Sequence, residues 1–173
     1  MNKVLIVCDA PKGTEFFRDF LTQNGYEDIL VVENGEEARR ILVDTDFDLC
    51  LINAPLRKES GEQLSIDIAE KNICQVILFV KAEQCDAIAD CVEDYGVITV
   101  SKPISRQLFW SAIKLARVAQ RRITMAQKEN AKLQQKLEGK INFLQDIEQY
   151  EISDPICLVK GYDKDLSYYR NGE

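Results

Sequence analysis

Histidine is missing altogether from this chain of 173 residues, which removes the commonest general base and one of the commonest metal ligands. The six cysteines, Cys8, Cys50, Cys74, Cys85, Cys91 and Cys157, show no CxxC spacing, so no zinc site is expected and most of them are read as reduced core residues. There is no Ser-centred triad pattern, no Gly-rich phosphate cradle and no paired-carboxylate constellation. These absences predict a protein that is not an enzyme, with no catalytic residues, no metal and no cofactor. No apolar run approaches the ~18 residues of a membrane span, and the N-terminus lacks a signal-peptide pattern. A cytoplasmic protein with no membrane partner is expected.

What the sequence does contain is alternation. Lys3 to Asp9 and Asp48 to Asn53 are short apolar runs ending in a polar residue, the pattern of buried parallel strands that deliver a side chain to a crevice. Asp28 to Val32, Gln75 to Val80 and Val97 to Val100 complete five strands. Helices are expected after Pro11 to Thr14, with Thr14 as N-cap, then over Gly35 to Val43, Gly61 to Lys71 and Glu83 to Tyr95, and after Pro103. Five strands alternating with helices specify an α/β chain with a doubly wound, five-stranded parallel sheet whose crevice lies at the C-terminal strand ends. That topology gathers Asp9, Asn53, Lys81 and Lys102 around the crevice.

The segments Val4-Leu5-Ile6-Val7-Cys8-Asp9, Phe47-Asp48-Leu49-Cys50-Leu51-Ile52-Asn53 and Ser101-Lys102-Pro103 are in register with response-regulator receiver domains, and the resemblance covers residues 1 to about 120. A closer resemblance is to the ANTAR transcription antitermination regulators of two-component signalling. It rests on Asn53-Ala54-Pro55-Leu56, Val92-Glu93-Asp94-Tyr95-Gly96-Val97, Ser101 to Phe109 and Gln127 to Gln134. It implies a flavodoxin-like receiver running into an extended C-terminal helix that forms a coiled coil, followed by a helical RNA-binding module. The implied organisation is a pseudo-receiver over residues 1–120, a coiled-coil helix over 121–147 and a divergent tail over 148–173.

A working receiver, as the resemblance implies, uses two acidic residues after the first strand and one after the third to hold a divalent cation, the third also accepting phosphate. Here those positions are Cys8, Asp9 and Asn53. One carboxylate, a thiol and an amide make a poor magnesium site. An amide also lacks the charge and basicity needed to form an acyl phosphate. Lys81 stands where the family usually has Ser or Thr, and Thr99 where a switching aromatic is common; Asp9, Lys102 and Pro103 keep the pattern. The crevice is therefore read as a degenerate phosphoacceptor pocket. Lys102 or Lys81 is expected to pair with Asp9, the alternative for Lys81 being a side chain that snorkels into solvent. The resemblance implies a cis Lys102–Pro103 bond. Cys8 is either inertly packed or a thiol with an altered pKa.

Charge divides the chain: residues 1–100 hold 9 basic and 20 acidic side chains, residues 101–140 hold 10 and 2, and residues 141–173 hold 3 and 7. In the basic stretch, Phe109, Ala116, Ile123, Asn130, Leu137 and Leu144 fall at heptad position a, with Ala112, Ala119, Ala126, Leu133, Lys140 and Ile147 at d. Beyond the receiver the expected homodimer seam is Ile123, Ala126, Asn130, Leu133, Leu137 and Leu144. Asn130 would fix the register of a parallel pair. Arg117, Arg121, Arg122, Lys128, Lys132 and Lys136 are candidates for a ridge facing the phosphates of structured leader RNA, the bland alternative being a solvated face. A complete output module should add about 55 residues by the same resemblance, whereas 26 follow Ile147. Glu148 to Pro155 breaks the helical period, Ile156 to Val159 reads as a strand, and no positions match the family's RNA-contacting residues. The resulting expectation is a phosphorylation-independent regulator acting on RNA. Two alternatives stay open: a dimerisation or anti-activator module that binds another regulatory protein, and a conventional receiver with a different acceptor.

Overall fold

The computed structural model describes residues 3–71 and 74–153, with side chains described up to residue 147. Five strands, β1 (Val4–Val7), β2 (Ile29–Val32), β3 (Leu49–Asn53), β4 (Gln75–Lys81) and β5 (Ile98–Lys102), pair in parallel in the order β2-β1-β3-β4-β5. Between them run α1 (Pro11–Gln23), α2 (Gly35–Asp44), α3 (Gly61–Glu70) and α4 (Cys85–Val92), and α5 (Arg106–Ser153) follows β5. This is the doubly wound parallel sheet that the alternation implied, and the flavodoxin-like architecture that the resemblance implied.

Strand pleating explains the two-sided wrapping, because alternate residues of each strand face opposite layers. Leu5, Val7, Cys50, Ile52, Val76, Leu78 and Val80 pack against Ala38, Leu42, Leu64, Ile68 and Val92 of α2, α3 and α4. Val4, Ile6, Leu49, Leu51, Ile77, Phe79 and Val100 pack against Phe17, Phe20 and Leu21 of α1 and Phe109, Ala112, Ile113 and Ala116 of α5. The second layer is unusually aromatic: the Phe109 ring lies 4.6 Å from Phe20, 5.4 Å from Phe17 and from Phe79, and 6.0 Å from Phe16.

Several boundaries differ from the sequence reading. Helix α1 begins at Pro11, with Ala10 as N-cap, and Thr14 lies inside it, its hydroxyl donating to the Ala10 carbonyl at 3.3 Å. Proline wins because its fixed φ and missing N–H suit the first helical position. Asn34 and Ser60 supply the side-chain caps of α2 and α3, accepting from the N–H groups of Glu37 and Gln63. The single helix expected over Glu83 to Tyr95 is α4 flanked by two 3-10 turns, Ala82–Gln84 and Glu93–Tyr95, the second closed by Gly96 at φ 74°. Helix α5 continues through Glu148 to Ser153, because losing the apolar period does not remove the helix propensity of Glu and Gln. The strand expected over Ile156 to Val159, and Cys157, lie outside the described residues.

The chain divides into two compact units at Thr124/Met125. Cys50 and Cys74 are buried as expected, and the Cys50 thiol is pushed well up by its contact with Cys74 and by burial. Cys85 is only half-buried and Cys91 is exposed. Among the described residues no helix is long and apolar enough to cross a membrane.

Candidate functional site

Parallel register brings the predicted pocket together. Val7 lies opposite Ile52 and Lys81 opposite Lys102, so Cys8 and Asp9 emerge beside Asn53 while the two lysines stand on neighbouring strand ends. Cys8 is 2% exposed; its Sγ donates to the Ala10 carbonyl at 3.3 Å and accepts from Asn53 Nδ2 at 3.1 Å. The amide at the acceptor position is thus turned toward a thiol. Gly13 allows this approach, because a Cβ there would lie 3.0 Å from both Asn53 Nδ2 and Cys8 Sγ.

The expected pairing of Asp9 with a lysine is not what forms. Asp9 pairs instead with Arg57 of the β3–α3 loop, Oδ2 to Nε at 3.4 Å. Lys102 donates through Nζ to the Ala54 carbonyl. Burial pushes the Lys102 ammonium below its ordinary pKa; the Asp9 carboxylate opposes the shift and Lys81 adds to it. A backbone carbonyl one residue past Asn53 is a fixed acceptor within reach of β5, which explains why Lys102 is drawn there rather than to Asp9. Lys81 is exposed and makes no ion pair among the described residues, as a snorkelling lysine does. Thr99 is half-buried on β5 and its hydroxyl has no hydrogen-bond partner among the described residues. Pro103 follows a cis peptide bond, as the resemblance implied, and Pro55 does too.

These donors do not fit a hard divalent cation. Magnesium needs several anionic or carbonyl oxygens in near-octahedral array. Here one carboxylate is engaged by a guanidinium, the amide nitrogen and thiol are engaged with each other, and no group of three or more His, Cys, Asp or Glu side chains able to hold a metal occurs among the described residues.

Sequence reading missed two residues of this site. Arg57 could have been noticed as the first cation after the acceptor position, four residues past Asn53. Glu59 gave no such signal: it reaches Arg39 on α2, Oε2 to Nη1 at 2.9 Å, with its carboxylate against Gly35, where any Cβ would collide with it. Arg39 also binds Asp67 of α3 at 2.7 Å, which holds the Asp67 carboxyl below its usual range, helped by Gln63.

A model of the response regulator receiver domain matches residues 4–114, well over half of the chain. The chain belongs to the response regulator receiver family. Among curated proteins it is similar to the transcriptional regulatory protein PdtaR of Mycobacterium tuberculosis, 26% identical over 137 residues that cover 79% of this chain and 67% of PdtaR. Among solved structures it resembles the receiver domain of an HD domain-containing protein from Pseudomonas fluorescens Pf-5, with TM-score 0.62, 20% identity and coverage of 69% and 97% of the two chains. It also resembles response regulator TrrA from Thermotoga maritima in complex with Mg(2+)-BeF, with TM-score 0.59, 24% identity and coverage of 67% and 99%. At these identities the solved structures speak to the fold alone.

The heptad repeat divides along α5. Phe109, Ala112 and Ala116 are buried against the sheet of their own domain. Ile123, Ala126, Asn130, Leu133, Leu137 and Leu144 are exposed on α5, and so are Ile141 and Phe143, which fall outside the a and d positions. Of the basic candidates, Arg121, Arg122, Lys128, Lys132 and Lys136 are exposed. Arg117 is half-buried beside the Tyr26 hydroxyl, without completing a hydrogen bond to it.

Proposed function

We propose that this receiver regulates transcription without phosphorylation, as a cytoplasmic, non-enzymatic homodimer of the antiterminator type that acts on structured leader RNA. The observation that carries the reading is the Asn53 amide, hydrogen-bonded to Cys8 at the position where the family places its acceptor. An amide oxygen is too weak a nucleophile for acyl phosphate formation, and Asp9, already paired with Arg57, is one carboxylate where a cation needs several. Switching then rests on association. The exposed apolar residues from Ile123 to Leu144 suit a helical partner of the same kind, and Asn130 at an a position suits a parallel dimer. PdtaR is itself called a transcriptional regulatory protein, which supports the transcriptional class. The basic surface of α5 supports RNA as the target.

Two measurements test this. Incubation with a small phosphodonor and magnesium, followed by intact-mass measurement, should add nothing; an added phosphoryl group overturns the phosphorylation-independent reading. Binding to structured leader RNA should weaken steeply as salt rises. A chain that binds no RNA even at low salt is instead a protein-binding anti-activator module, a reading favoured by Ile141 and Phe143, which are apolar, exposed and outside the seam.

A further inference from the structure

The loop after Asn53 is fastened at three points. At its start, Ala54 donates its N–H to the Phe79 carbonyl at 2.9 Å and accepts from Lys102. In its middle, Arg57 reaches back to Asp9. At its end, Glu59 is held by Arg39. The outer two fastenings join the loop to β4, β5 and α2; the central one alone ties it to the acid at the end of β1.

We propose that Arg57 is a built-in strap of this pocket, a loop-borne cation that pairs with the Asp9 carboxylate and holds the β3–α3 loop, residues 54–60, across the end of β1. The inference rests on the reading of the pocket as one that takes no phosphate, and adds what pairs with its carboxylate. A guanidinium is always charged, and here it is presented by the loop itself, so no cation from solution is needed to bridge the loop to Asp9. Its side chain is 81% exposed while that of Asp9 is 16% exposed, so the strap works against water and is sensitive to salt. The neighbouring Lys58 carries the same charge but makes no ion pair among the described residues, which provides an internal control.

The test uses the full chain in two arms. In the first, amide hydrogen exchange over residues 56–59, each rate taken relative to the intrinsic rate of its own sequence, is compared in the natural sequence, Arg57→Ala, Arg57→Lys and Lys58→Ala. Arg57→Ala should speed exchange by about threefold at low ionic strength, Arg57→Lys by less, and Lys58→Ala not at all, with high salt erasing the differences. In the second, Cys8→Asp/Asn53→Asp supplies the missing carboxylates and is titrated with magnesium alone, with and without Arg57→Ala or Lys58→Ala. Removing Arg57 should tighten magnesium by at least about threefold and by clearly more than removing Lys58 does. Exchange that Arg57→Ala leaves unchanged overturns the strap. Equal effects of the two substitutions on magnesium, or no gain from Arg57→Ala, absence of binding included, overturn the competition with a metal. A phosphorylated natural chain would overturn the function proposed above while leaving these exchange results as they stand, so the two failures are distinguishable.

Discussion

Phe109 and Leu137 occupy equivalent heptad positions in the sequence, yet replacing each by alanine is predicted to damage different properties. Phe109 is 0% exposed and its ring centroid lies within 4.6–6.0 Å of four phenylalanines drawn from α1 and β4. Deleting a fully buried Phe side chain costs about 3–5 kcal/mol in transfer and cavity terms, and the lost edge and tilted ring contacts place Phe109→Ala toward the upper end. Against a typical domain stability of about 5–15 kcal/mol this leaves a folded but weakened receiver. Leu137 is 59% exposed, so Leu137→Ala should change the unfolding of the receiver by no more than about 0.5 kcal/mol. The assay is urea denaturation followed by the fluorescence of Trp110, together with sedimentation of the full chain across a concentration series. Phe109→Ala should shift the urea midpoint strongly and leave the dimer constant within about twofold at temperatures where the receiver stays folded. Leu137→Ala should do the opposite and weaken self-association by about tenfold or more, as truncation of a central seam leucine does. If Phe109→Ala proves unfolded, Phe109→Leu at a smaller cost keeps the comparison. A Phe109 variant that loses dimerisation while its receiver stays intact, or a stability loss below about 1.5 kcal/mol, refutes the assignment of this position to the receiver core.

Three further outcomes follow from individual contacts. Asp67→Asn should destabilise the fold by no more than about 1 kcal/mol at pH 7, since both partners of its ion pair are partly exposed. The native carboxyl is held below its unfolded value, so this stabilisation is present above the ordinary carboxylate range near pH ~4 and is lost as pH falls through the depressed native value; the variant and the natural chain should draw together in thermal scans as the pH is lowered. Gly13→Ala places a methyl 3.0 Å from Asn53 Nδ2 and Cys8 Sγ, so the amide–thiol contact must open, and Cys8 should react faster with a thiol reagent under native conditions. Unchanged reactivity would mean that α1 yields instead. Lys102→Met leaves the Ala54 carbonyl without its donor and should cost about 1–3 kcal/mol at neutral pH. Because the native state depresses the Lys102 pKa, the natural chain gains stability as pH rises through that depressed value toward ~10.4, while the variant lacks this gain; parallel pH profiles would contradict it.

The sheet was legible because its signal is local: each strand is a short apolar run closed by a polar residue, and a parallel sheet buried on both faces asks for little more. The pocket members were legible for the same reason, since Cys8, Asp9, Asn53, Lys81 and Lys102 are all strand ends or follow them directly. Their partners were not. Which cation meets Asp9 depends on the path of the β3–α3 loop, and Arg57 reaches it from a segment with no periodicity to read. The start of α1 at Pro11 turned on whether proline or threonine chemistry prevails, a choice that both residues announce and only packing decides.

The heptad pattern shows a different limit. Phe109, Ala112 and Ala116 belong to one unbroken 3.5-residue repeat with Leu133 and Leu137, but a repeat records which face of a helix is apolar and says nothing of what covers it. On this helix two demands use one pattern: the first turns bury their apolar face in an aromatic layer of their own domain, and the later turns expose theirs. The alanines at positions 112 and 116 fit the first demand, where the backbone must approach the sheet closely, and the leucines at positions 133, 137 and 144 fit the second, where large side chains suit a facing helix. Burial along the stripe, which the repeat does not record, therefore separates the part of α5 that completes the receiver from the part proposed above to face a partner.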